Sequence, residues 1–173
     1  YDGKGVEKNF EEAIRFFRAA ANQGHPEAQS KLGVCFKYGR GVERDQNEAV
    51  KWYKLAANQG YPLAQSNLGN CYMSGEGVEK DEEEGVRLIR LSADQGNAVG
   101  QCKLGYCYMN GNGVEKDEQE AVKWYFVAAN QGDALAQRNL GVCYENGIGV
   151  SKNAEEALRW YQLAADQGIS TRR

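Results

Sequence analysis

Proline, methionine and histidine are scarce: the 173-residue chain contains two prolines, two methionines and one histidine. So little proline argues against a collagen-like chain or a Pro-Gly linker. With no second histidine, a His-based metal site or a Ser-His-Asp triad would need unusual partners. Blocks of lysine or arginine are missing too, and the net charge is −3 with a pI of about 5.4. Nucleic acid and membrane insertion are therefore not expected. No apolar run approaches the roughly 20 residues that span a bilayer, and no charged-then-apolar signal segment opens the chain. A soluble protein of undetermined localisation is expected, and the start at Tyr1 suggests a piece of something longer. Apolar residues at 42% and charged residues at 26% exclude wholesale disorder.

Glycine is in excess, with 21 residues against a usual share of roughly 7%, and its placement is periodic. Gly-Val recurs at Gly5-Val6, Gly41-Val42, Gly77-Val78, Gly113-Val114 and Gly149-Val150, a spacing of 36 residues. Gln-Gly keeps the same period at Gln23-Gly24, Gln59-Gly60, Gln95-Gly96, Gln131-Gly132 and Gln167-Gly168. Leu-Gly does so at Leu32-Gly33, Leu68-Gly69, Leu104-Gly105 and Leu140-Gly141. Such self-similarity defines a tandem array, and the glycines are its punctuation.

Each period predicts two helices. The first runs from Pro26 to about Tyr38, up to the Gly39-Arg40-Gly41 turn. The second starts at an Asp or Asn cap (Asn9, Asp45, Asp81, Asp117, Asn153) and ends at the glycine of Gln-Gly. A glutamate three residues after each cap (Glu12, Glu48, Glu84, Glu120, Glu156) has capping-box spacing and suits the helix dipole. The run Asp81-Glu82-Glu83-Glu84 is one such helix start. The chain is thus read as all-α, a solenoid of 36-residue helix-turn-helix repeats in one domain. Residues 1–24 form a partial repeat with a second helix only. Full repeats cover 25–60, 61–96, 97–132 and 133–168, and 169–173 are a tail.

At 100° per residue, Ala28, Gln29, Leu32, Gly33, Cys35 and Phe36 share one arc of the first helix, which is expected to pack. The opposite face changes from repeat to repeat. In the second helix, apolar residues around most of the circumference predict burial on more than one side.

The string Ala64-x-x-x-Leu68-Gly69-x-x-Tyr72-x-x-Gly75-x-Gly77-Val78 carries a resemblance, with Asp117-x-x-x-Ala121-x-x-Trp124-Tyr125-x-x-Ala128-Ala129-x-Gln131-Gly132 one repeat on. Together they resemble the Sel-one-like repeat (SLR), a cousin of the tetratricopeptide repeats with a slightly longer unit. The resemblance covers residues 3–168. It implies a right-handed α/α superhelix whose first helices line a concave surface. It also implies a non-enzymatic adaptor that holds other proteins together; family members include subunits of membrane-protein degradation complexes and bacterial proteins that meet host factors.

The candidate binding site is the variable stripe on the first helices. It consists of Ser30, Val34 and Lys37; Ser66, Asn70 and Met73; Cys102, Tyr106 and Met109; and Arg138, Val142 and Glu145. Each trio shares a helix face by its spacing. Met73, Tyr106 and Met109 are adaptable or amphipathic types suited to protein contacts, and Lys37 and Arg138 flank them. A protein or extended peptide is the expected ligand; no catalytic residue, metal or cofactor is expected. Head-to-tail self-association through uncapped ends is a second reading. A β-lactam-directed enzyme, as some cysteine-rich relatives suggest, is the least favoured, because paired cysteines are missing.

Other residues have plainer expectations. His25 is read as structural or exposed, and the Gly-x-Gly turns as turns rather than phosphate cradles. Cys35, Cys71, Cys107 and Cys143 recur inside the packed arc as small hydrophobes too far apart to pair. Cys102 falls outside the repeat pattern, where an exposed thiol is expected. Phe16-Phe17, Trp52-Tyr53, Trp124-Tyr125 and Trp160-Tyr161 are expected in the core, and Trp124→Ala is expected to cost about 3–5 kcal/mol. The third second-helix has Leu88-Ile89 instead, with Gly85, Ser92 and Gly100 replacing alanine nearby. Drift compensated by repacking is the preferred explanation, and a groove or flexible joint is the alternative.

Overall fold

The computed structural model describes residues 4–170, and within the first helix the side chains of residue 10 and of residues 12 onward. The helices are α1 (Lys4–Asn22), α2 (Pro26–Tyr38), α3 (Gln46–Asn58), α4 (Pro62–Ser74), α5 (Glu82–Asp94), α6 (Ala98–Asn110), α7 (Glu118–Asn130), α8 (Ala134–Asn146) and α9 (Ala154–Asp166). No strand occurs among the described residues. Each helix packs on the next in sequence, and α4 also touches α6. Neighbour-only contact is what makes an array a solenoid.

The second helices begin as their caps dictate. The carboxylates of Asp45, Asp81 and Asp117 accept from the N–H groups of Glu48, Glu84 and Glu120, and the Asn153 amide oxygen accepts from Glu155 and Glu156. The reciprocal half of a capping box is not made. The cap N–H groups of Asp45, Asp81, Asp117 and Asn153 instead reach the carbonyls of Phe36, Tyr72, Tyr108 and Tyr144 in their own first helices. Glu48, Glu84 and Glu120 are left to pair with Lys51, Arg87 and Lys123 on the exposed face.

The same bond accounts for a departure at the N-terminal end. Helix α1 does not begin at Asn9 but runs from Lys4. No first helix precedes it among the described residues, so no carbonyl holds the cap, and the helix continues through the Gly5-Val6 pair.

Two glycine positions show why the repeat needs that residue. Gly77 has φ +72°, and a methyl group there would collide with the Gln46 carbonyl of the preceding repeat. In α2, a methyl at Gly33 would stand 2.6 Å from the Tyr53 ring, so the bare backbone lets α3 lie close.

The packed arc is as the periodicity predicts. Leu32, Leu68, Leu104 and Leu140 are buried, as are Cys35, Cys71, Cys107 and Cys143, all free thiols. The buried arc also carries a polar ladder. Gln59 donates to Gln29 at 2.8 Å, Gln95 to Gln65 at 2.7 Å, Gln131 to Gln101 at 2.6 Å and Gln167 to Gln137 at 2.9 Å. Gln29, Gln101 and Gln137 donate in turn to the carbonyls of Ala21, Ala93 and Ala129 in the preceding second helices. Each Gln-Gly pair from Gln59-Gly60 to Gln167-Gly168 thus ends a helix and also bonds to its neighbour.

The aromatic pairs divide by direction. Tyr53 and Tyr125 are buried against their own first helices, whereas Trp52 and Trp124 are only half-buried. The tryptophan position looks back to the preceding repeat: Trp160 is buried and meets Phe126 edge to face at 6.1 Å. Phe16 occupies that position with no preceding repeat among the described residues. It is 68% exposed, contrary to the expectation of a core residue.

Candidate functional site

The predicted stripe is not one continuous surface. Its innermost row lies in the seam between helices: Ser30 and Ser66 are buried, and so is Cys102, which corrects the expectation of an exposed thiol. Burial and a hydrogen bond with Asp133 hold the Cys102 thiol well above its ordinary pKa, so it is protonated and unreactive. Burial likewise pushes Cys107 and Cys143 up to about 11. Arg138, the fourth member of the innermost row, is half-buried; among the outer rows, Tyr106 and Glu145 are exposed, and Val34, Lys37, Asn70, Met73, Met109 and Val142 are half-buried. Lys37 pairs with Glu76 at 3.1 Å, and Glu145 accepts from the Tyr161 hydroxyl at 2.9 Å. His25 is exposed at the start of α2, where its side chain makes no cap bond.

Four stripe residues do converge. Asn70 and Met73 of α4, with Cys102 and Tyr106 of α6, line a hollow of about 450 Å³ that reaches α8 through Leu135 and Asn139. Its wall also holds Ile89, Lys103 and Cys107. The hollow therefore crosses the faces of three successive first helices. A larger depression of about 820 Å³ lies at the loop edge between the start of α7 and the Gly147–Ser151 turn. It is made of repeat punctuation and unites none of the stripe residues.

The hollow sits where the array departs from its own pattern. Tyr53 and Tyr125 fill the space beside Gly33 and Gly105, but Ile89 stands beside Gly69 and lines the hollow. The other size reductions are repacked. A methyl at Gly85 would lie 2.7 Å from the Met73 sulfur, and one at Gly100 would lie 2.5 Å from the Ser92 hydroxyl. Both readings of this repeat thus hold in different places: an opening at Ile89 and close packing at Gly85 and Gly100.

Lys103 is the chemically unusual member of the wall, and the stripe omitted it. Its ammonium donates to the Ser66 carbonyl at 3.2 Å. Desolvation, reinforced by the Lys37 cation, lowers its pKa to about 8. No carboxylate among the described residues forms an ion pair with it. Glu82, the acidic residue of the wall, is engaged at 2.6 Å by Lys80. The available signal was positional: Lys103 stands two repeats on from the exposed Lys31, on the variable face, in the first helix that follows the Leu88-Ile89 second helix.

The wall offers a half-buried cation, amides from Asn70 and Asn139, and an apolar floor. That is equipment for binding. Among the described residues no group of three or more His, Cys, Asp or Glu side chains is placed to hold a metal ion. No described helix is long and apolar enough to cross a membrane.

Comparison with known proteins agrees with this architecture. The Sel1 repeat model matches residues 1–25, 26–61, 62–97, 98–133 and 134–169, so the chain belongs to the Sel1 repeat family. Proteins of this family generally mediate protein–protein interactions. A Sel1 repeat protein from Oxalobacter formigenes is 36% identical with a TM-score of 0.83, the match covering 91% of this chain and 63% of that one. The protective antigen c5321 of uropathogenic Escherichia coli, which displays an SLR fold, is 36% identical with a TM-score of 0.77, covering 92% and 34%. The immunity protein Pa5087 of Pseudomonas aeruginosa is 25% identical with a TM-score of 0.66, covering 90% and 57%. This chain spans less than two thirds of the length of each. No curated protein sequence matches it.

Proposed function

We propose that this array is a non-enzymatic scaffold that binds an extended segment of a partner protein along its first-helix face, seated at the hollow between α4, α6 and α8. One observation carries the reading: the hollow adjoins two large exposed side chains on that face, Tyr106 at 55% and Leu135 at 56% exposure. Exposed apolar and aromatic groups around a concavity are what a protein ligand covers. Linear peptides selected from a display library on the wild-type array provide the test. They should lose most of their affinity for Tyr106→Glu and Leu135→Glu, substitutions at exposed positions that leave the fold intact. Peptides that bind the variants and the wild type equally would place the site elsewhere. Turnover of nitrocefin by the purified array would overturn the non-enzymatic part.

Self-association rests on a different observation. Leu158 of α9 is 69% exposed, whereas the equivalent Val50 and Val86 are buried at 4% under the repeat that follows them. A second copy stacked head to tail would cover it. Light scattering that gives a monomer mass up to high concentration, for wild type and Leu158→Glu alike, would dismiss this reading.

A further inference from the structure

We propose that the hollow selects an acidic side chain: a glutamate of the bound segment enters between Met73 and Ile89 and places its carboxylate on Lys103, with apolar flanking residues on Tyr106 and Leu135. This rests on the peptide-binding reading above and specifies the partner's chemistry.

The argument begins from charge. A cation held in an apolar wall loses hydration, and proteins normally compensate it with a carboxylate. Here the charges around Lys103 do the opposite. Lys37 faces it as a second cation, Glu76 is taken by Lys37, and Glu82 is taken by Lys80. Its bond to the Ser66 carbonyl uses one of the three ammonium donors. The missing partner must therefore come from outside, and it must be an anion with an apolar stem, because Met73, Ile89 and Cys107 form the apolar part of the wall beside Ser74, Glu82 and Asn112.

Geometry favours an internal side chain over a chain terminus. The hollow crosses three first helices, so a segment running along the array passes over its mouth and continues on both sides. Asn70 and Asn139 stand on α4 and α8, either side of Lys103 on α6, where their amides can meet the passing main chain. Glutamate's two methylenes match the apolar wall, while its carboxylate meets Lys103 inside.

The test uses the whole array and amidated peptide libraries with one fixed central residue, Glu, Gln or Lys, among randomised neighbours. A second set carries Gln at the centre and a free C-terminus. Wild type should prefer Glu over Gln by about tenfold, the value of a charge-assisted hydrogen bond over a neutral one. Lys103→Met should abolish that preference, and Lys103→Arg should retain it, which separates charge recognition from a structural role. Equal binding of Glu and Gln peptides, still sensitive to Tyr106→Glu, overturns the lysine proposal and leaves the peptide groove standing. Preference for the free C-terminus overturns it as well. Binding that is insensitive to Tyr106→Glu overturns the groove itself.

Discussion

Lys103 on α6 donates its ammonium proton to the carbonyl of Ser66 on α4 across 3.2 Å, which ties two first helices together through a charge that has no ion-pair partner among the described residues. A lone carbonyl is poor compensation for a desolvated cation. The arrangement costs the free protein stability and leaves it ready for an anion.

The stability cost leads to the first prediction. Lys103→Met is expected to raise the unfolding free energy near neutral pH by roughly 1–3 kcal/mol, because an apolar isostere removes the desolvation penalty. The pH sign follows from linkage. With a native pKa of about 8, below the ordinary 10.5, the unfolded chain holds a proton that the native state has released between those values. Stability from this group therefore rises with pH across that window. The difference between variant and wild type should be full below about 8 and shrink toward ~pH 10. Lys37, Cys71, Cys102 and Cys107 face the ammonium, and they are common to both proteins. Urea titrations at the two pH values measure the effect; a less stable Lys103→Met protein would refute the account of the lysine.

The glutamine ladder leads to the second. Gln131→Ala removes the donor to Gln101 and leaves a buried amide oxygen unpaired, so a loss of about 1–3 kcal/mol is expected. Adding Gln101→Leu should recover part of that loss, because both polar groups are then gone. Strictly additive urea midpoints would show that the ladder contributes nothing as a unit.

Glycine substitutions should separate two physical effects. Gly60 has φ +81° with open space around a would-be methyl, so Gly60→Ala carries backbone strain alone, about 1 kcal/mol. Gly77 has similar φ but lies against the Gln46 backbone, and Gly77→Ala should cost at least about 2 kcal/mol. Equal melting temperatures for the two variants would remove the close approach as a cause.

The thiols supply a fourth test. All five cysteines are buried, so native protein should react with a thiol reagent near pH 8 at only a small fraction of the denatured rate. One fast equivalent, mapped to Cys102, would restore the exposed thiol that the sequence predicted.

The array was legible because a repeat states its own boundaries: caps, Gln-Gly ends and Leu-Gly contacts occur in register. Ladder partners were not legible, since periodicity marks Gln29 and Gln59 as positions without saying that they meet. The aromatic pairs were assigned to the core together, but neighbours on a helix point 100° apart, and only the tyrosine faces its own first helix. Tyr125, rather than Trp124, is therefore expected to cost about 3–5 kcal/mol on replacement by alanine. Of the stripe, Asn70, Met73, Cys102 and Tyr106 line the hollow. Ser30, Ser66 and Cys102 are buried rather than exposed, because a variable position can also lie in a seam. Lys103 escaped notice because a lysine on a variable face is usually solvated, and its half-burial follows from helix proximity that no local pattern encodes.

Ile89→Tyr tests the central claim most directly, because it restores the residue that the other repeats use and fills the hollow without touching its rim. Affinity for peptides selected on the wild-type array should fall at least about tenfold while the urea midpoint stays level or rises. Undiminished binding by a folded Ile89→Tyr protein would contradict the hollow as the binding site.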